Sequence, residues 1–177
     1  ASAGVTAVAE NGGVPDLAAE LVAGLDDLGL GNSGVALPAD PEAPPVIGPG
    51  ESRTFMVTST HDRFSVVAML ICTNDGFTGI DSLPLPKRKA TVFARGYETR
   101  TEANTEDFAD IVPPCQGLIG VSSDDMGTGM SNPVLAEDGI VIPHAGINGG
   151  ADLLPNVHGW GEPVAKIEIE VVRPHSD

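Results

Sequence analysis

Two runs of oxygen-bearing side chains carry most of the chemistry open to this chain. Asn74-Asp75-Gly76 closes an apolar run, and Asp81 follows it. A second acidic run, Tyr97-Glu98-Thr99-Arg100-Thr101-Glu102-Ala103-Asn104-Thr105-Glu106-Asp107, follows the next apolar segment. Calcium takes roughly six to eight oxygens from carboxylates, amide carbonyls and backbone, in a tolerant geometry. Asp75, Glu98, Glu102 and Asn104 offer such oxygens. The same letters also fit solvated acids and ordinary turn chemistry.

A second group lies in the stretch HAGINGGADLLPNVHGW, where His144 and His158 flank Asp152. Transition metals favour imidazole pairs, but this separation matches no ligand signature, so each histidine reads first as a structural or surface residue. A metal-dependent hydrolase on His144, His158 and Asp152 would require all three within about 2.0–2.2 Å of one ion, with a position left open. Gly29-Leu30-Gly31-Asn32-Ser33-Gly34 matches G-x-G-x-x-G by letter. It follows a helical rather than a strand pattern and opens no helix, so a dinucleotide site is rejected. No G-x-S-x-G elbow, H-E-x-x-H, P-loop or EF-hand loop is present, and the expectation is a protein that is not an enzyme.

The elements that must position these residues are mostly strands. Leu17, Leu21, Leu25 and Leu28 share one helical face over Pro15–Leu28, with Asp16 as the N-cap and Gly29 and Gly31 as the stop. Residues 31–50 read as an irregular connection rich in Gly and Pro. Arg53–Thr60 alternates loosely, and Phe64–Cys72 (FSVVAMLIC) is a continuous apolar run that predicts a strand buried on both faces. Ala90–Arg95, Gly117–Val121 and Gly139–Ile142 are shorter strand candidates. In Ala165–Val171, Ile167 and Ile169 alternate with Lys166, Glu168 and Glu170, as in a strand with one wet face. Asn148-Gly149-Gly150 and Trp160 suit a long ordered loop. The expectation is a mainly all-β domain spanning 1–177, an antiparallel β-sandwich with one short N-terminal helix, long ordered loops, and residues 1–50 packed on it.

Composition narrows the partners. The 177 residues carry 9 Lys and Arg against 25 Asp and Glu, a net charge of −16 that repels phosphate. Nucleic acid is excluded unless a cation bridges the contact, and no apolar run reaches the ~20 residues of a membrane span. An acidic surface also keeps an exported protein soluble. Cys72 and Cys115 show no metal or haem spacing. In an oxidising compartment they form one disulfide; in a reducing one they are two buried thiols. The chain opens Ala-Ser-Ala with no Met, which reads as a processed N-terminus and equally as a shortened chain.

The run Ser65–Leu70 followed by Asn74-Asp75-Gly76-Phe77-Thr78-Gly79-Ile80-Asp81-Ser82-Leu83 resembles the core signature of the spondin N-terminal domain. Gly96–Asn104 is similar to that family's second acidic loop, and VAKIEIEVV to its closing strand. The likeness covers roughly residues 50–172, and the histidine loop is similar to bacterial secreted members. It implies an extracellular or cell-surface β-sandwich of matrix and adhesion type that carries a metal-ion site; the expected partner is a protein, a surface glycan or its own copies, and the expected ion is calcium. By position the metal acids fall on Asp75 and Glu98, while a third family ligand falls near Met56, which cannot bind a hard cation. Glu102, Asn104 or backbone carbonyls would then complete the site. Bacterial members place a further strand before the segment matching Ala1–Gly13; its loss would leave a sheet edge open to a strand donor. A structural subunit of an array or filament completed in this way is the alternative.

Overall fold

A computed structural model describes residues 1–28, 46–57, 61–119, 124–125 and 127–172, with backbone alone at 24–28 and 118–119. Helix and strand each make up about 24% of the described residues. The strands are antiparallel throughout, but the single expected helix is joined by others.

The chain opens with helix α1 (Ala3–Asn11), where a helix was not expected. Ser2 caps its first turn by accepting from the Val5 N–H at 3.3 Å, and Gly12 ends it at φ 67°, a left-handed conformation that glycine adopts without strain. Helix α2 (Val14–Leu28) follows after two residues, Gly12 and Gly13, so Asp16 lies inside its first turn rather than at the cap. There the carboxylate still favours the positive end of the helix dipole. Leu17 and Leu21 are half-buried as the spacing predicts. The side chains of Leu25 and Leu28, the stop at Gly29 and Gly31, and the G-x-G-x-x-G segment lie outside the described residues.

Strand β1 (Arg63–Met69) is not buried on both faces: its residues are exposed or half-buried, and Val66 is 37% exposed. The reason is its place at the edge of a four-stranded sheet ordered β1-β2-β4-β5, with α1 packed against it. Strand β2 (Gly76–Pro84) pairs with β1, Met69 opposite Phe77 and Arg63 opposite Pro84, with a register shift between Phe64 and Val66. Strand β4 (Gly96–Glu98) pairs with β2, setting Glu98 opposite Gly76 and Gly96 opposite Thr78. Strand β5 (Ile142–Pro143) completes the sheet against Tyr97 and Glu98, shorter than the expected Gly139–Ile142. Gly139 instead adopts φ 69° in a loop and donates its N–H to the Arg100 carbonyl at 2.7 Å. Strand β3 (Lys89–Ala94) and strand β6 (Ala165–Glu170) form a separate two-stranded sheet, β6 alternating half-buried and exposed as expected.

Gly117 falls in helix α3 (Pro114–Ile119) rather than in a strand, and residues 120–123 lie outside the described set. Pro114 begins this helix with a pre-set φ, and short apolar runs do not by themselves separate strand from helix. Residues 51–57 form no regular strand and expose Phe55, Met56 and Val57. Two one-turn 3-10 segments (Phe108–Asp110 and Pro133–Leu135) and helix α4 (Pro155–His158) shape the loops.

The main buried cluster lies beneath these loops: Phe108, Ile111, Val112, Cys115 and Leu153, with Met69, Ile71, Cys72 and Ile147 against it. Cys72 and Cys115 are joined in a disulfide with Cα atoms 5.0 Å apart, 43 residues apart in sequence. One end of this cluster therefore fixes the turn between β1 and β2.

Candidate functional site

That turn is knotted by its own polar atoms. The Thr73 hydroxyl donates to the Leu70 carbonyl at 2.6 Å and accepts from the Gly76 N–H at 2.8 Å. With Cys72 tethered, Asn74 and Asp75 are driven inward, to 2% and 0% exposure. Asn74 holds Thr105 at both its backbone N–H (3.2 Å) and its hydroxyl (3.1 Å). Asp75 Oδ2 accepts from the N–H groups of Thr101 (2.8 Å) and Glu102 (3.2 Å) and from the Thr99 hydroxyl (3.1 Å). The loop after β4 is thus folded around two neighbouring side chains. Asp75 Oδ1, equally buried, has no hydrogen-bond partner among the described residues.

Pairing of Gly76 with Glu98 places Asp75 and Glu98 side by side at one pole of the sheet. Glu98 Oε2 accepts from the Asn104 amide, and Glu102 Oε1 from the Asn132 N–H. All four residues chosen from the sequence therefore reach this end: Asp75, Glu98 and Glu102 buried, Asn104 exposed. Each buried carboxylate has one oxygen in these bonds, and no Lys or Arg is among the partners. Arg100 turns outward to Glu137 (3.3 Å) and Asp138 (3.1 Å). Burial pushes the Glu102 carboxyl up to about 7, against the Asn132 N–H, and the charges of Glu10, Asp75 and Asp110 add to the rise. Glu10 is itself buried and bonded to the Ser131 hydroxyl.

Glu106, which sequence reasoning passed over, holds the glycine-rich loop. Its carboxylate accepts from three successive N–H groups, those of Asn148, Gly149 and Gly150, each at 2.6 Å. Its own carbonyl accepts from Asp152 (2.9 Å) and Leu153 (3.1 Å). Burial would raise this carboxyl, but the three amide bonds outweigh it and hold the group below the usual range. A signal was available: consecutive N–H groups at Asn148-Gly149-Gly150 form a concave nest that calls for an anion.

The histidines are engaged in backbone support. His144 Nδ1 accepts from the Gly146 N–H at 2.9 Å, and His158 Nδ1 from the Leu154 N–H at 2.8 Å. Their rings lie edge-on to Trp160 and Phe108, at 5.0 Å and 5.8 Å between centroids. Burial lowers the affinity of His144 for a proton, opposed by Glu98, Asp75 and Glu106. Both Nε2 atoms are buried and have no hydrogen-bond partner among the described residues.

Among the described residues, the three-residue set whose donor atoms lie within 4.8 Å of one another is Asp107, Asp125 and Asp152. These three carboxylates could hold a metal ion. They include neither histidine of the hydrolase triad, nor Asp75, Glu98 and Glu102 as a group. Asp107 and Asp125 show no spacing that marks them in the sequence. Asp107 Oδ1 already accepts from the Ala109 N–H at 2.9 Å, and Asp152 Oδ2 from the Phe108 N–H at 3.0 Å.

No family model, characterised protein or solved structure matches this chain.

Proposed function

We propose that this chain is a secreted, non-enzymatic β-sandwich module of spondin type that binds a protein or a surface glycan, with calcium rigidifying the acidic pole at Asp75 and Glu98. The observation that carries the reading is the fully buried Asp75 Oδ1, which has no hydrogen-bond partner among the described residues and lies in a group of buried acids whose described partners include no cation. In donor type the residues suit a hard cation, since Asp75 Oδ1, the second oxygens of Glu98 and Glu102, and the Asn104 carbonyl oxygen are all of the kind calcium takes. Among the described residues the three carboxylates are not gathered within reach of one ion, so amide, backbone or water oxygens would complete the shell. A buried carboxylate oxygen with neither proton, donor nor cation is destabilising, so a cation there stabilises the folded state. The disulfide suits an oxidising compartment.

The test is the thermal midpoint in millimolar calcium against chelator. A midpoint that rises with calcium and becomes indifferent in Asp75→Asn supports the site; an indifferent wild type overturns it. The Asp107–Asp125–Asp152 set favours a second location. A calcium response that survives Asp75→Asn but is lost in Asp125→Asn would move the ion there.

The assembly alternative rests on β1, an edge strand with Val66 exposed, preceded by exposed Phe55, Met56 and Val57. Such an edge is a template for a strand from another chain. Light scattering in dilute buffer and in salt distinguishes the two: a monomer at all concentrations excludes self-assembly.

A further inference from the structure

The pole that carries the unpartnered Asp75 oxygen also carries an unpartnered donor. His144 is 9% exposed, and its Nδ1 lone pair is occupied by the Gly146 N–H. The neutral ring therefore carries its proton on Nε2, and that N–H has no partner among the described residues. A buried N–H left unbonded destabilises the fold.

Register places this donor relative to the acids. Tyr97 faces Pro143 and Glu98 faces Ile142, and the His144 N–H reaches the Gly96 carbonyl at 3.1 Å, so His144 stands opposite Gly96. Residues directly opposite share a face, and so do residues two apart on one strand. His144 and Glu98 therefore rise from the same face as diagonal neighbours. Gly96 between them leaves space that Trp160 enters: a Cβ there would lie 3.1 Å from Trp160 Nε1 and 3.3 Å from Val164. The indole, edge-on to the imidazole, holds the ring over this face. Glu98 and Asp75 are the carboxylates whose attraction His144 feels most.

We infer that His144 is a positioning residue for the cation at Asp75 and Glu98, its Nε2–H donating to a water in the ion's shell rather than its ring ligating the metal. The inference rests on the calcium reading above and adds the ion class. With Nδ1 occupied and Nε2 protonated, the imidazole offers no lone pair, so the pole favours hard, oxygen-seeking cations over zinc-type ions. The same donor helps keep the ion hydrated.

Terbium serves as the calcium probe, excited through Trp160, the single tryptophan. Its luminescence lifetimes in H2O and D2O count the bound waters, and calcium competition gives the affinity. His144→Phe keeps the contact with Trp160 and loses the donor; it should bind about tenfold more weakly, as when hydrogen bonds to an ion's ligands are removed, with one fewer bound water. His144→Gln restores an N–H and should recover most of the affinity. Circular dichroism checks that both variants are folded. Unchanged affinity and water count in His144→Phe would overturn the inference and leave the calcium reading standing. Zinc binding tighter than calcium and lost in His144→Phe would also overturn it, showing the ring to be a ligand. Failure of the wild type to bind terbium or calcium would remove the parent reading itself.

Discussion

Asp75 and Glu106 are two buried carboxylates that do similar work in adjoining loops, and they differ in one respect. Each folds a loop by accepting several hydrogen bonds, at least two of them from backbone N–H groups. Glu106 uses both oxygens on the Asn148–Gly150 nest, so nothing about it calls for a further partner. Asp75 places all three donors on Oδ2 and leaves Oδ1 bare. The same residue chemistry thus makes a closed structural clamp in one loop and an open one in the other. Burial and hydrogen bonding alone do not mark a binding site. Unused acceptor capacity under burial is the discriminating feature.

The comparison can be broken at several points. Cys115→Ser removes the cross-link behind both clamps and should lower stability by about 4 kcal/mol for a closed loop of this length, read as the denaturant midpoint. If that loss leaves the Asp75 calcium response intact, the two clamps stand independently of their shared anchor. Glu106→Gln deprives three amides of their charged acceptor and should cost about 3 kcal/mol, with the calcium-induced midpoint shift preserved. Asp75→Asn should cost about 2 kcal/mol in chelator, and here the calcium shift should vanish. Equal calcium shifts in these last two variants would erase the distinction between closed and open clamps.

A pH titration sharpens the contrast with a smaller effect. The folded-state affinity of Glu102 for its proton is raised, from the ordinary 4.5 to about 7. Between those values the folded chain binds more protons than the unfolded one, so stability should fall as pH rises across that window, by about 3 kcal/mol for a fully dry site and roughly 1–2 kcal/mol once solvent screening is counted. Glu106 is shifted the other way, so its contribution is present above the ordinary carboxylate range and lost as pH falls through its depressed value. Calcium should flatten the neutral limb and leave the acid limb unchanged, as measured by midpoints across pH 3–8.

Part of the strand pattern was legible because β3 and β6 carry short-range signals, alternation above all; β2 was not anticipated, since Asn74-Asp75-Gly76 at its start read only as a turn. Phe64–Cys72 misled because apolar content records the hydrophobicity of a segment and not whether anything covers it; an edge strand beneath one helix looks the same in letters as a central one. Helix α1 was hidden by small residues with no apolar stripe, although Ser2 before it and Gly12-Gly13 after it are boundary signals. At the site, Asp75 and Glu98 could be brought together because turn and strand end follow from local spacing. Asp107, Asp125 and Asp152 could not, since only the tertiary path of the loops unites them. Glu106 lay among so many acids that nothing in its own neighbourhood singled it out; its partner nest did.

The Cys72–Cys115 bond makes the acidic pole answerable to redox state. Asn74 and Asp75 point inward from a turn whose root is covalently fastened to a distant helix. Opening the bond would leave that turn held by its hydrogen bonds and packing alone, with the gathered negative charge free to push it outward.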